Sequence, residues 1–165
     1  MRAAGDENGF MVGVSAGLML YRIREGAVEV LLVHPGGPFW RNRSDGAWSI
    51  PKGEFDPASE TALEAASREF REEIGHAPPA GVVIDLGEVV QKAGKRVIAF
   101  AVEGDIDPQS IISNTFPMEW PPGSGRIAEF PEVDRAEWLP LAAACTAINP
   151  AQVPLLDRLA GSLDA

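Results

Sequence analysis

In the stretch "REFREEIG" (68 to 75), Glu69, Glu72 and Glu73 stand within one helical turn of each other, with Arg68 and Arg71 among them. At helical spacings of three and four such side chains are neighbours, and like charges so placed destabilise a helix by roughly a few tenths of a kcal/mol per pair. At 100° per residue, Leu63, Ala66, Phe70 and Ile74 form one apolar stripe. The three glutamates lie beside that stripe, on the side of Ala62 and Ala65, while Glu60, Glu64, Arg68 and Arg71 point mostly elsewhere. A half-desolvated carboxylate needs a partner, and two arginines do not easily serve all three. Two readings follow: a solvated face laced by salt bridges, or a binding site for a hard divalent cation such as Mg²⁺, which takes oxygen ligands and often shares its site with substrate phosphates.

The elements that must hold this patch are legible on either side of it. "VGVSAGLML" (12 to 20) and "VEVLLVH" (28 to 34) read as two strands around the turn-like "REGA", the second buried on both faces. A long Gly/Pro/Asp/Ser-rich stretch, "PGGPFWRNRSDGAWSIPKGEFDPAS", follows, and irregular segments of that length in a small domain are usually functional. The helix is expected over Glu60 to Ile74, with Ser59 as N-cap and Gly75 as the left-handed C-terminal glycine. "VVIDLGEVVQ" and "RVIAFAVEG" flank "KAGK" as a hairpin, 108 to 128 reads as loop, "RAEWLPL" (135 to 141) as a last strand, and the remainder to Leu163 as helix. Strands alternating with helices predict a mixed α/β sandwich. Residues 1–9 read as a flexible tail and 10–165 as a single domain.

Composition narrows the chemistry. A formal charge of −10 argues against broad contact with a nucleic acid polymer, although a few local cations still suffice for a small phosphorylated ligand. No apolar run approaches the ~20 residues of a membrane span. Cys145 is the single cysteine, which excludes an internal disulfide and suits a cytoplasmic setting. It reads as a small buried apolar residue. With only His34 and His76, a His-rich zinc site is not expected. His34 reads as a strand-end residue in a local hydrogen bond, and Trp48 and Trp138 as core.

From Gly53 to Gly75 the chain resembles the Nudix hydrolase signature, Gly-x5-Glu-x7-Arg-Glu-(apolar)-x-Glu-Glu-x-Gly-(apolar). Glu60, Arg68-Glu69, Phe70, Glu72-Glu73 and Gly75 fit it without a gap. Two departures stand out: one extra residue among "EFDPAS" sets Gly53 further from Glu60, and His76 replaces an aliphatic residue. The resemblance implies an α/β/α sandwich with a mixed β-sheet. It also implies hydrolysis of a pyrophosphate linkage in a nucleoside diphosphate derivative, by a monomer or homodimer that uses Mg²⁺ or Mn²⁺. It assigns Glu72 and Glu73 to the metal, Glu69 to the metal or to the attacking water, and Arg68 to holding a glutamate in place. The backbone carbonyl of Lys52 or Gly53 and one glutamate from Glu119, Glu129 or Glu132 complete the candidate ligands.

The substrate is less legible. Trp40 beside Arg41 and Arg43 suggests an aromatic platform with cations for phosphate; the alternative is that Trp40 plugs the edge of the core. Lys52, Lys95 and Arg126 are further phosphate candidates. The subgroup markers for ADP-ribose, coenzyme A and NADH are missing, and Tyr21 is the only tyrosine, where the diadenosine polyphosphate subgroup often carries one after the box. "WSIPKGE" nevertheless looks like family members acting on dinucleoside polyphosphates and related compounds. A nucleoside polyphosphate is the expectation, and a non-catalytic nucleotide-sensing or interaction module of the same fold is the alternative.

Overall fold

The computed structural model describes residues 13–164, so the expected tail at 1–9 and the strand start at Val12 lie outside the described residues. Strand β1 (Val14–Arg24) is antiparallel to β2 (Ala27–Pro35) through its C-terminal half and to the short β3 (Lys52–Glu54) through its N-terminal half. Between β3 and the hairpin of β4 (Val83–Val90) and β5 (Arg96–Glu103) runs helix α1 (Ala62–Ile74). β5 pairs parallel with β1, which makes the sheet mixed. With β8 (Val133–Pro140) on the far edge, the strand order is β4-β5-β1-β2-β8, with β3 beside β1.

Alternation along the strands sends the two faces of the sheet to different helices. Ala16, Leu18, Leu20, Leu31 and Val33 pack with Ala65, Ala66, Phe70 and Ile74 of α1. Met19, Tyr21, Val30 and Leu32 pack on the opposite side with Ala144 of α2 (Leu141–Ala147) and with Leu155, Leu156 and Leu159 of α3 (Val153–Asp164). Helices on both faces of a mixed sheet form the α/β/α sandwich expected from the sequence.

Three expectations about the elements need correction. The N-cap of α1 is Thr61, not Ser59: its hydroxyl accepts from the Glu64 N–H at 3.1 Å while its own N–H donates to the Glu64 carboxylate at 2.8 Å. That reciprocal box satisfies two otherwise orphaned donors and leaves Glu60 just outside the helix. The helix is also rotated, because Leu63 is 38% exposed whereas Ala65 is fully buried. Two adjacent alanines let the helix approach the sheet closely, and this turns the side bearing Glu69 inward. Thirdly, the segment 108 to 128 is not all loop: β6 (Thr115–Glu119) and β7 (Ile127–Pro131) form a separate two-stranded ribbon. Pro117 and Pro131 obscure it in the sequence, since proline is tolerated in strands only where a ladder hydrogen bond is not required of it.

Gly75 does end α1 with φ of 82°, a left-handed conformation that glycine adopts without a Cβ penalty. Cys145 is exposed rather than buried, because in α2 the neighbouring Ala144 takes the inward position. Trp138 is half-buried, with the Arg22 guanidinium 4.2 Å from its ring centroid.

Candidate active site

The inward turn of α1 presses Glu69 against β3. A Cβ built on Gly53 would fall on the Glu69 carboxylate, so glycine is what gives that side chain its place. Glu69 is only 8% exposed. Arg68 secures it from the other side: one guanidinium nitrogen donates to Glu69 at 2.8 Å and to Glu72 at 3.1 Å, and another donates to Glu60 at 2.6 Å. Arg68 thus ties the glutamate ahead of the helix to two on it, which keeps its guanidinium protonated well beyond the ordinary range, the Glu60 bond contributing most.

Glu73 lies on the neighbouring side of the helix, where its carboxylate meets the Lys52 backbone N–H and the field of the Lys52 ammonium. Glu73, Glu132, Lys52 and Ser49 line one small cavity of about 120 Å³. Glu132 is brought there by a relay of backbone hydrogen bonds. Asn114 N–H donates to the Glu72 carbonyl, Glu132 N–H to the Asn114 carbonyl, and Gly36 N–H to the Glu132 carbonyl. Of the three later glutamates, therefore, Glu132 joins the box. Glu119 and Glu129 sit on the ribbon, where Glu119 accepts from the Gly125 N–H and Glu129 from the Thr115 hydroxyl.

The crowding shows in the proton affinities. Burial raises Glu73 to about 8; Lys52 opposes the shift, while Glu69 and Glu132 reinforce it. Glu69 is raised by burial, against its bond from Arg68 and with the field of Glu72. Glu132 is raised by burial and by Glu72. Lys52 is lowered by burial, Glu73 opposing the shift and Lys95 adding to it.

Strand register sets the directions of the two backbone carbonyls. Leu18 N–H donates to the Pro51 carbonyl and Phe55 N–H to the Val14 carbonyl, with Ala16 opposite Gly53 and Gly17 opposite Lys52. Hydrogen-bonded pairs alternate along an antiparallel ladder. Gly53 therefore spends its carbonyl on Ala16, and the Lys52 carbonyl faces away from β1.

Among the described residues no three His, Cys, Asp or Glu side chains already stand together as a coordination set, because Arg68 and Lys52 hold the carboxylates. The donor chemistry nonetheless fits a hard divalent cation. Five carboxylates (Glu60, Glu69, Glu72, Glu73, Glu132) stand with two cations (Arg68, Lys52), so that with every carboxylate ionised the cluster carries an excess of three negative charges, offered entirely by oxygen donors.

Metal-free protein should consequently lose stability as pH rises from the ordinary carboxylate value of 4.5 through about 8. In that window the folded state keeps a proton on Glu73 that the unfolded chain has released, so raising pH favours unfolding. Melting curves in EDTA across this range should fall with pH. Millimolar Mg²⁺ or Mn²⁺ should raise the melting temperature most at the alkaline end, where binding displaces no proton. Curves that stay flat in EDTA and ignore both metals would remove the cation site.

Three of the other sequence candidates, Trp40, Arg43 and Lys95, meet at one cavity. Trp40 and Arg43 share a cavity of about 730 Å³ with Gln91, Lys92, Lys95 and Asn149. Trp40 is 39% exposed and belongs to neither core cluster; the Arg43 guanidinium stands 5.5 Å from its ring centroid. The Lys95 ammonium lies 3.7 Å from Glu54, which places the cavity next to β3. Arg41 is exposed on the same loop but does not line the cavity, and neither does Arg126, beside the ribbon strand β7. Lys92 is not among the residues expected from the sequence; its signal there is a second lysine in the same short hairpin turn as Lys95.

A family model described as NUDIX domain matches residues 11–159. Curated proteins yield no match. Among solved structures, the NUDIX domain of Shewanella oneidensis NrtR, complexed with ADP ribose, has a TM-score of 0.63 at 16% identity, covering 93% of this chain and 89% of that one. A C. elegans Ap4A hydrolase binary complex has a TM-score of 0.62 at 21% identity, covering 93% and 98%. Shewanella oneidensis NrtR complexed with a 27mer DNA reaches 0.55 at 18% identity, covering 91% of this chain and 61% of that one. At such identities the likeness is one of fold.

Proposed function

This chain belongs to the Nudix family, and we propose that it is a hydrolase that cleaves a pyrophosphate linkage in a nucleoside polyphosphate with Mg²⁺ or Mn²⁺. The observation that carries this reading is the convergence of Glu69, Glu72, Glu73 and Glu132 around Gly53 and Lys52. Glu72, Glu73 and Glu132, with the Lys52 carbonyl, would hold the cation. When bound, such an ion neutralises phosphate oxygens and makes water a stronger acid.

The remaining work falls to the protein's own groups. Glu69, pinned between Gly53 and Arg68, has the fixed direction needed to orient the attacking water and accept its proton. Arg68 holds Glu69 and Glu72 in register so that neither swings away. Lys52 supplies a positive charge beside Glu73 for the departing phosphate. Lys95, Lys92 and Arg43 extend that charge into the larger cavity, where Trp40 offers a face to a base. The net charge of −10 supports a small phosphorylated substrate rather than a nucleic acid polymer. The lone cysteine suits the cytoplasm.

The test is a Mg²⁺-dependent hydrolysis panel of nucleoside triphosphates, diadenosine tetraphosphate and ADP-ribose, with products identified by mass. Turnover of none of them, together with tight nucleotide binding, would favour a sensing module instead. For an active substrate, Trp40→Ala should raise KM roughly ten- to a hundredfold and leave kcat nearly unchanged, since stacking is worth ~1–3 kcal/mol per base and is made equally in ground and transition states. An unchanged KM with a lowered melting temperature would assign Trp40 to packing.

A further inference from the structure

The loop from 36 to 47 presents Trp40 and Arg43, and residues 39 to 45 are exposed throughout. Its ends are tied to the body, Gly36 N–H donating to the Glu132 carbonyl and Gly46 N–H to the Thr146 carbonyl, while the bonds in between are local turns: Trp40 N–H to the Gly37 carbonyl, Arg43 N–H to the Trp40 carbonyl, and Ala47 N–H to the Ser44 carbonyl. Among the described residues, one hydrogen bond joins the segment 38–45 to the body of the protein, from Nε2 of His34 to the Arg43 carbonyl at 2.6 Å. The carbonyl can only accept, so the ring donates. Phe39 adds an apolar edge contact with Trp120, at 5.7 Å between ring centroids.

His34 is fully buried in β2, on a strand otherwise filled by Val30, Leu31, Leu32 and Val33. A polar ring there is costly unless both nitrogens are engaged. Its Nδ1 lies 3.0 Å from the Asp134 carboxylate on β8, and the Trp48 ring stands edge-on at 5.1 Å. Asp134 follows Glu132 by two residues, so the ring connects the strand leading from the box to the loop carrying Trp40.

We propose that His34 is a positioning residue for substrate binding: anchored by Asp134 and Trp48, it holds the Arg43 carbonyl and so keeps Trp40 and Arg43 at the wall of the larger cavity. This rests on the reading that the cavity receives the substrate. The role lies in a single donor reaching a single carbonyl, which separates it from simple packing.

Three substitutions test it. Gln can present its side-chain amide N–H where Nε2 stands; Asn reaches only as far as Nδ1 and keeps the Asp134 side alone; Leu keeps neither. Hydrogen exchange over 39–45 and steady-state kinetics on diadenosine tetraphosphate, or on ATP if that is turned over faster, are read on each. His34→Leu and His34→Asn should speed exchange in that segment and raise KM about tenfold, with kcat within about twofold. His34→Gln should retain wild-type values of both. Unchanged exchange and KM in the Leu variant, or a Gln variant as impaired as Leu, would overturn the proposal. If the wild-type protein turns over no member of the hydrolysis panel, the hydrolytic reading has failed. Exchange, together with the calorimetric Kd for ATP, then decides the tether, by the same ordering of the three variants.

Discussion

Glu73→Gln should lower turnover by at least ~100-fold while leaving the protein folded. The substitution keeps shape and removes one negative charge from a set that must offset a divalent cation and orient it. The amide oxygen still accepts from the Lys52 N–H, so the local backbone keeps its partner. Stability should respond in the opposite sense to activity. Burial and the neighbouring Glu69 and Glu132 hold the Glu73 proton up to about pH 8, so a neutral side chain relieves that strain. Metal-free Glu73→Gln should therefore melt no lower than wild type at alkaline pH, and the rise in melting temperature with Mg²⁺ should shrink. Near-normal turnover of a folded variant at saturating Mg²⁺ would remove Glu73 from the machinery.

Gly53→Ala should be nearly as damaging, although it adds a single methyl group. That methyl would sit where the Glu69 carboxylate lies. Glu69 must then leave its place between Gly53 and Arg68, and a displacement of about 1 Å in a catalytic group costs on the order of 10²-fold in rate. The cause can be isolated by a double-mutant cycle. In a Glu69→Ala background the space is already cleared, so adding Gly53→Ala should cost little more. Independent losses that multiply in the double variant would mean that Gly53 acts through the strand and not through Glu69. Wild-type activity in Gly53→Ala alone would mean that Glu69 works equally well from another position.

Much of this site is written in consecutive residues. The carboxylates of α1, the arginine between them and the terminating glycine are fixed relative to one another by a helix of known pitch, so the linear sequence suffices to identify them. The capping box is equally local, as Thr61 and Glu64, but Ser59 is an N-cap residue type too, and only the hydrogen bonds to Glu64 separate the two. The strands of the first hairpin and of β4-β5 are legible because alternating apolar residues around a tight turn leave few other ways to bury them. The ribbon β6-β7 is not, since its alternation is interrupted by prolines and its faces are only half covered.

The sequence by itself determined the acidic helix and the alternation of strands with helices, patterns with a period of two or 3.6 residues, and it carried the spaced residues by which the chain resembles its family. Only the tertiary structure decided what those patterns meet. It brought Glu132, and not Glu119 or Glu129, beside the box through the relay by Asn114, turned the Lys52 carbonyl away from β1 through strand register, and gathered Trp40, Arg43, Lys92 and Lys95 around one cavity. It also turned α1 so that Glu69 rests on glycine. The physical reason is that local periodicity sets which face of an element is apolar. The rotation of a helix on its sheet, the pairing of distant strands and the burial of a charge depend on contacts between residues far apart in the chain, and no short window contains both partners.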